Sequence, residues 1–406
     1  MNPVDNAFIL LCAALVMFMT PGLALFYGGL VRSKNVLSTT MHSFVMLGVG
    51  SLLWAVLGYS LSFGTDVGGV IGGLDYVFLR GVGMAPAQEG GNLSHLTFMI
   101  FQCMFAVITP ALISGAYAER IKFSGYLVFS SLWLLVVYAP MCHMVWGGGI
   151  LGQMGALDFA GGAVVHMSSG AAALACALFL GKRRGFGKEP YIPHNLPMTV
   201  LGAGILWFGW FGFNAGSALA ADGIAANAFV NTHMATATAC VTWILAEWLH
   251  SGKPTTLGAA SGAVAGLVAI TPAAGFVDPW ASLLIGGAAG VICFGGIMLK
   301  NRFGYDDALD VVGIHGVGGT WGALATGLFA SGVVEFDGVP QLGLFYGNPK
   351  QLWIQFESVA ITWIFCFAAS VVLFKLVDLT VGMRATDDEE IKGLDVTLHS
   401  ETGYQL

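Results

Sequence analysis

Apolar residues run along this chain in windows of about twenty, separated by short polar connectors. Crossing a hydrocarbon layer of about 30 Å takes about 20 mostly apolar helical residues at about 1.5 Å of rise each. Such windows lie at 6–27, 41–63, 96–117, 123–142, 160–180, 197–217, 227–249, 255–273, 279–299, 309–332 and 351–378. They predict an all-α polytopic membrane protein with eleven transmembrane helices. Barrel strands would instead alternate apolar and polar residues over about ten positions.

Charge placement adds orientation. Arg32 and Lys34 follow span 1, Arg120 and Lys122 span 3, and Lys182, Arg183, Arg184 and Lys188 span 5. Lys253 follows span 7, Lys300 and Arg302 follow span 9, and Lys375, Arg384 and Lys392 lie at or beyond the end of span 11. Only Arg80 and Lys350 fall on the other side. The positive-inside rule places the N-terminus (about 1–5) outside and the C-terminus in the cytoplasm of a cell-membrane protein. The first apolar stretch has no Lys or Arg before it, so it lacks the charged region of a signal peptide.

Composition agrees: 56% of the 406 residues are apolar and 10% are Asp, Glu, Lys or Arg, against about 25% charged in a soluble domain. The 58 glycines suit helices packed at close range, as in Gly286-Gly287-Ala288-Ala289-Gly290. The seven cysteines lack metal-site or disulfide-framework spacing and read as small packing residues. No nucleic-acid motif accompanies the basic loops.

Two histidines interrupt otherwise apolar helices: His166 in span 5 and His315 in span 10. An ionisable group at membrane depth is costly unless it faces a cavity or a partner. Spans 1–5 and 6–10 make two five-helix halves of opposite orientation, because five is odd, and these histidines fall on corresponding last spans. They read either as structural residues bonded to carbonyls or as imidazoles meeting along a narrow apolar pore. A neutral ring offers one donor and one acceptor, so two rings can share a hydrogen bond and take a proton from an N–H donor.

Aromatic residues supply a vestibule: Phe101 and Phe105 on one face of span 3, Trp146, and Phe213 in the run from Trp207 to Ser217. Ring faces attract a cation by about 0.5–2 kcal/mol, and a hydroxyl such as Ser217 accepts an N–H bond; aromatic residues near span ends also serve as interface anchors. Asp158 precedes the helical run of span 5, so it either attracts cations or caps free backbone amides, and the cap is favoured. Asp310 carries the same capping expectation. Glu119 beside Arg120 points to a cytoplasmic ion-pair network, and Thr271 with Pro272 marks an outer helix end with a vestibule hydroxyl.

At these residues the sequence resembles the ammonium transporter/methylammonium permease/Rhesus protein family, in its bacterial ammonium-transporter branch. The strings are Pro21-Gly-Leu-Ala-Leu-Phe-Tyr-Gly-Gly29, His143-Met-Val-Trp-Gly-Gly-Gly149, Asp158-Phe-Ala-Gly-Gly-Ala-Val-Val-His166, Trp210-Phe-Gly-Phe-Asn-Ala-Gly-Ser217 and His315-Gly-Val-Gly-Gly319. The resemblance implies an inverted five-helix repeat plus a final helix, assembled as a homotrimer with one pore per subunit. It implies an outer recruitment site at Phe105, Trp146 and Ser217, and a phenyl gate of Phe105 and Phe213. Phe101, Trp210 and Thr271 would support the vestibule, His166 and His315 would form the twin-histidine pore, and Asp158 would be the family's structural aspartate. The substrate implied is ammonium, ammonia or methylammonium.

The channel domain is expected over 1–378 and a regulatory tail over 379–406. By composition the tail is a solvated extension; the resemblance implies contacts with neighbouring subunits and a PII-type signalling protein. An ammonium sensor with little transport is the competing reading, although no kinase or cyclase domain follows residue 378. No HExxH, paired-carboxylate or cysteine cluster adds ligands to the histidines, so no metal, cofactor or enzymatic activity is expected.

Overall fold

The computed structural model describes residues 1–87 and 90–405. Eleven long helical segments cross the bundle: α1 (Pro3–Leu30), α2 (Ser33–Phe63), α3 (His95–Tyr117), α4 (123–146), α5 (Gly162–Leu180), α6 (Leu196–Gly216), α7 (Gly223–Ser251), α8 (Thr256–Ile270), α9 (Pro279–Phe303), α10 (312–329) and α11 (Pro349–Thr380). Among the described residues, eight helices are individually long and apolar enough to span a membrane. The shortest, α8, has 15 residues, or about 22 Å. The chain continues beyond it as buried turns over 271–276. Irregular backbone is tolerated at that depth only where protein surrounds it.

The two five-helix halves meet along two seams. In the first, α1 packs lengthwise on α6, and a Cβ on Gly202 would lie 2.3 Å from the Phe26 amide nitrogen. In the second, α5 crosses α10, and a Cβ on Gly170 would lie 2.3 Å from the Gly316 Cα. Neither seam tolerates a larger residue at these glycines without moving a backbone. The second places the turns bearing the two histidines against each other.

The sequence pattern did not indicate two small hairpins at the end of the bundle away from the basic loops. β1 (Asp66–Val67) pairs with β2 (Ile71–Gly72), and β3 (Ser331–Phe336) pairs with β4 (Val339–Leu342). Asp337 and Gly338 turn the second hairpin with positive φ at both positions, as Asp-Gly turns favour.

The tail is not a solvated extension. Its helices α12 (Asp387–Lys392) and α13 (Leu394–His399) fold back onto the basic end of the bundle. Asp395 accepts the amides of Leu37 (3.0 Å) and Ser38 (2.8 Å), capping the start of a helix elsewhere in the chain. Lys34 Nζ donates to the carbonyls of Glu390 and Ile391, and Leu394 is buried. Nearby, Glu119 accepts from Arg32, Asn35 and Arg183, and Arg183 also pairs with Asp306. Arg120 bonds the carbonyls of Gly181 and Asp306.

Candidate functional site

Each histidine stands at the start of a helix whose first turn is wound as a π-helix: Gly162–Met167 in α5 and Val312–Gly316 in α10. Such turns concentrate at functional positions. The chain enters α5 through Gly161, whose φ of 117° favours a residue without Cβ. Asp158 Oδ1 then accepts the amides of Gly161 (2.8 Å) and Gly162 (2.6 Å), and Oδ2 those of Ala163 (2.8 Å) and Val164 (3.2 Å). These four bonds satisfy the orphan donors of a helix that starts inside the protein.

The corresponding residue in α10 is Asp307, which corrects the expectation for Asp310. Asp307 accepts the amides of Val311 (3.1 Å) and Val312 (2.7 Å). It precedes His315 by eight residues, the same spacing as Asp158 and His166. Asp310 stands directly before the helix, the position from which a side chain ordinarily reaches the amides two and three residues on. Its backbone is left-handed (φ 62°), and its carboxylate pairs with Lys300 instead.

The two imidazoles face each other with Nδ1 to Nδ1 at 3.2 Å, both buried. His166 stacks on Trp210 at 5.3 Å and on Phe213 at 6.1 Å, each inclined by 21°. Phe213 meets Phe105 at 4.2 Å, and Phe105 meets Trp146 edge-on at 6.0 Å. A ladder of rings therefore runs from Trp146 through Phe105 and Phe213 to the histidines.

Above the phenyl pair, a cavity of about 280 Å³ is lined by Phe63, Phe98, Gln102, Phe105, Val145, Trp146, Phe159, Ser217 and Leu219. Trp146 is fixed by its indole N–H to the Asp158 carbonyl at 2.9 Å. Ser217 donates to the Phe213 carbonyl at 2.9 Å, so its oxygen is available as an acceptor. Phe101 packs edge-on behind Phe105 at 5.0 Å and is fully buried. Below the pair, a space of about 10 Å³ is bounded by His166, His315, Trp210, Phe213 and apolar side chains including Leu206 and Val264. That is at the lower limit for one water-sized molecule.

Trp210 and Thr271, expected around the vestibule, lie below the Phe105–Phe213 pair. Because α8 stops short, Thr271 is in the interior, where its hydroxyl accepts from Trp210 Nε1 at 2.9 Å and lies 3.3 Å from His166 Nε2.

The family model of the Ammonium Transporter Family matches residues 7–404. The chain belongs to that family. It is 54% identical over 402 residues to an ammonium transporter of Bacillus subtilis, covering 99% of this chain and 98% of that protein. It superposes on the crystal structure of Candida albicans Mep2 with a TM-score of 0.90 at 37% identity, over 96% of this chain and 88% of that one. A solved Sensor Amt protein gives a TM-score of 0.89 at 29% identity, over 98% of each chain.

In this family member the hydrogen bonds around Thr271 select histidine tautomers. The Thr271 hydroxyl spends its single hydrogen on the Leu267 carbonyl at 2.8 Å, so toward His166 it can only accept. Nε2 of a neutral His166 then carries the proton, and its Nδ1 accepts from Nδ1–H of His315. That leaves Nε2 of His315 as the free acceptor of the pair. Among the described residues, no three His, Cys, Asp or Glu side chains gather as a metal site. Asp307 and Thr271 are the positions whose roles the sequence concealed, although the shared eight-residue Asp-to-His interval was a visible signal for the first.

Proposed function

We propose that this protein passes ammonium-derived nitrogen into the cell, with the N-terminus outside and the C-terminus in the cytoplasm. The observation that carries the proposal is the water-sized space between the phenyl pair and the bonded imidazoles, walled by apolar side chains. A cation approaching Trp146, Phe105 and Ser217 gains ring-face attraction and one acceptor oxygen, which suits NH4+ or methylammonium more than a strongly solvated ion. NH4+ gives up one proton near the gate, and the NH3 formed crosses the apolar space along the histidines. The proton either returns outside or follows through the imidazole pair.

Purified protein in sealed liposomes tests this by recording current together with radiolabelled methylammonium uptake. Uptake is the expected result. Uptake without charge movement excludes proton passage, and no uptake excludes transport. The second outcome would favour the other reading, an ammonium sensor, which the likeness to the Sensor Amt protein supports.

Residues 1–378 act as the channel and 379–406 as a regulatory tail, and the working unit is a homotrimer with one pore per subunit. The tail's bonds to Leu37, Ser38 and Lys34 support a regulatory role, because a partner that lifts the tail must uncap α2. A PII-type signalling protein is the proposed partner. Pull-down across nucleotide and 2-oxoglutarate conditions tests it, and binding under none of them rejects it.

A further inference from the structure

His143 lies fully buried in the last turn of α4, three residues before Trp146. Its Nδ1 is 3.0 Å from the Ser62 carbonyl oxygen, and its Nε2 is 2.8 Å from Asp66 Oδ1. Neither partner brings a hydrogen. The carbonyl can only accept, and the 40% exposed Asp66 side chain already takes the Gly69 amide. A neutral imidazole has one N–H, so one of the two contacts would set lone pair against lone pair.

We propose that His143 is an imidazolium that donates from both nitrogens and thereby positions Trp146 for cation capture. The carboxylate at contact distance favours that charge. So does the Ser62 carbonyl, which belongs to the last turn of α2, where a helix end attracts cations. No Lys or Arg occurs within 36–75 or 147–157. At this end of the packed elements the other titratable groups are Asp75, bonded to the Thr65 amide, Tyr59, bonded to His95, Tyr76 against both rings, and Tyr138 and Cys142 of α4 itself, whereas Lys34, His42 and Tyr126 stand at the opposite, basic end of α2 and α4. Asp158 follows beyond Trp146 and is engaged with the amides of α5.

The clamp acts on the recruitment site through the backbone. The His143 carbonyl accepts the amides of Gly147 and Gly149, and the Gly69 carbonyl accepts that of Ile150. A Cβ on Gly147 would lie 2.1 Å from the Ser62 oxygen, so the turn after Trp146 has no slack. The inference rests on the reading of Trp146 as part of the recruitment site. Loss of the proton breaks one bond and loosens the loop from the helix, weakening cation capture. Asp66→Asn offers an amide N–H to a neutral Nε2 and satisfies the ring without charge.

The test has two arms. In histidine ¹⁵N NMR of the full-length protein in bilayers near neutral pH, the signals missing from His143→Gln are assigned to His143. Two protonated nitrogens are expected, and one protonated nitrogen overturns the proposal. In vesicles, the KM for methylammonium is measured from external pH about 6 to 9, across and above the ordinary imidazole range. The ratio of wild type to Asp66→Asn cancels amine speciation and is expected to climb about threefold to tenfold. Parallel curves overturn the positioning role. Trp146→Ala with unchanged KM would instead overturn the recruitment reading and leave the NMR result standing.

Discussion

Asp307 stands eight residues ahead of His315 and holds the amides of Val311 and Val312 that open its helix. Losing such a cap costs about 1–2 kcal/mol. Asp307→Ala is therefore expected to melt at lower temperature than wild type in detergent. Asp158→Ala should lose more, since Asp158 serves four amides against two. Both variants should also transport slowly, because each cap sets where a histidine points. Thermal melts paired with liposome uptake check the order, and equal melting temperatures for the two variants would contradict it.

Replacing His166 or His315 by Ala removes one half of the Nδ1–Nδ1 bond and leaves the other ring without its partner. Ammonium flux is expected to fall about tenfold or more, in the range of losing one positioned acid–base group. Exclusion of potassium should weaken as the water-sized space enlarges. Uptake and potassium leak in the same liposomes measure both effects, and unchanged values in both assays would remove the histidines from the mechanism.

Most of the fold was legible in the sequence because lipid imposes a coarse rule: each crossing must be apolar for about twenty residues. The exceptions are informative. Thr271 looked like an outer helix end because hydropathy reports burial without saying whether lipid or protein does the burying; its neighbours are protein, and it reaches His166. Asp310 sits where a cap is ordinarily found, but its backbone is left-handed and its carboxylate pairs with Lys300, so the amides of Val311 and Val312 fall to Asp307. The docking of Asp395 onto α2 joins residues more than 350 apart in the chain, and no local pattern encodes such a pairing. Likewise, the clash-free crossing at Gly170 and Gly316 becomes meaningful only once two helices are known to touch there.

Trp146 offers its ring at the mouth of the larger cavity, beyond Phe105. A ring face adds about 0.5–2 kcal/mol to cation binding. Trp146→Leu is expected to raise the KM for methylammonium about 2- to 30-fold with a smaller change in maximal rate. Phe213→Ala should do the reverse, opening the passage while sparing capture, which appears as potassium leak at nearly constant KM. Concentration series of uptake in liposomes separate the two, and an unchanged KM in Trp146→Leu would count against the recruitment site.

The last prediction concerns acid. Burial alone would raise the Glu119 carboxyl, yet Arg183 and Arg32 hold it below the usual carboxylate range. Burial likewise opposes ionisation of Asp306, and Arg183 and Arg120 bring it down. A carboxylate whose folded value lies below its unfolded one, near 4, adds stability above pH about 4 and loses it as pH falls through the folded value. The melting temperature should therefore hold from pH 7 to about 5 and drop steeply below about 4. Glu119→Gln deprives Arg32 and Arg183 of a buried charge, a loss of about 3–5 kcal/mol for a broken buried pair. It should melt lower at pH 7 and show a shallower acid decline, because one of the titrating groups is gone. Scanning fluorimetry over pH 3–7 provides the comparison, and a variant curve parallel to wild type throughout would show that this network does not couple stability to protons.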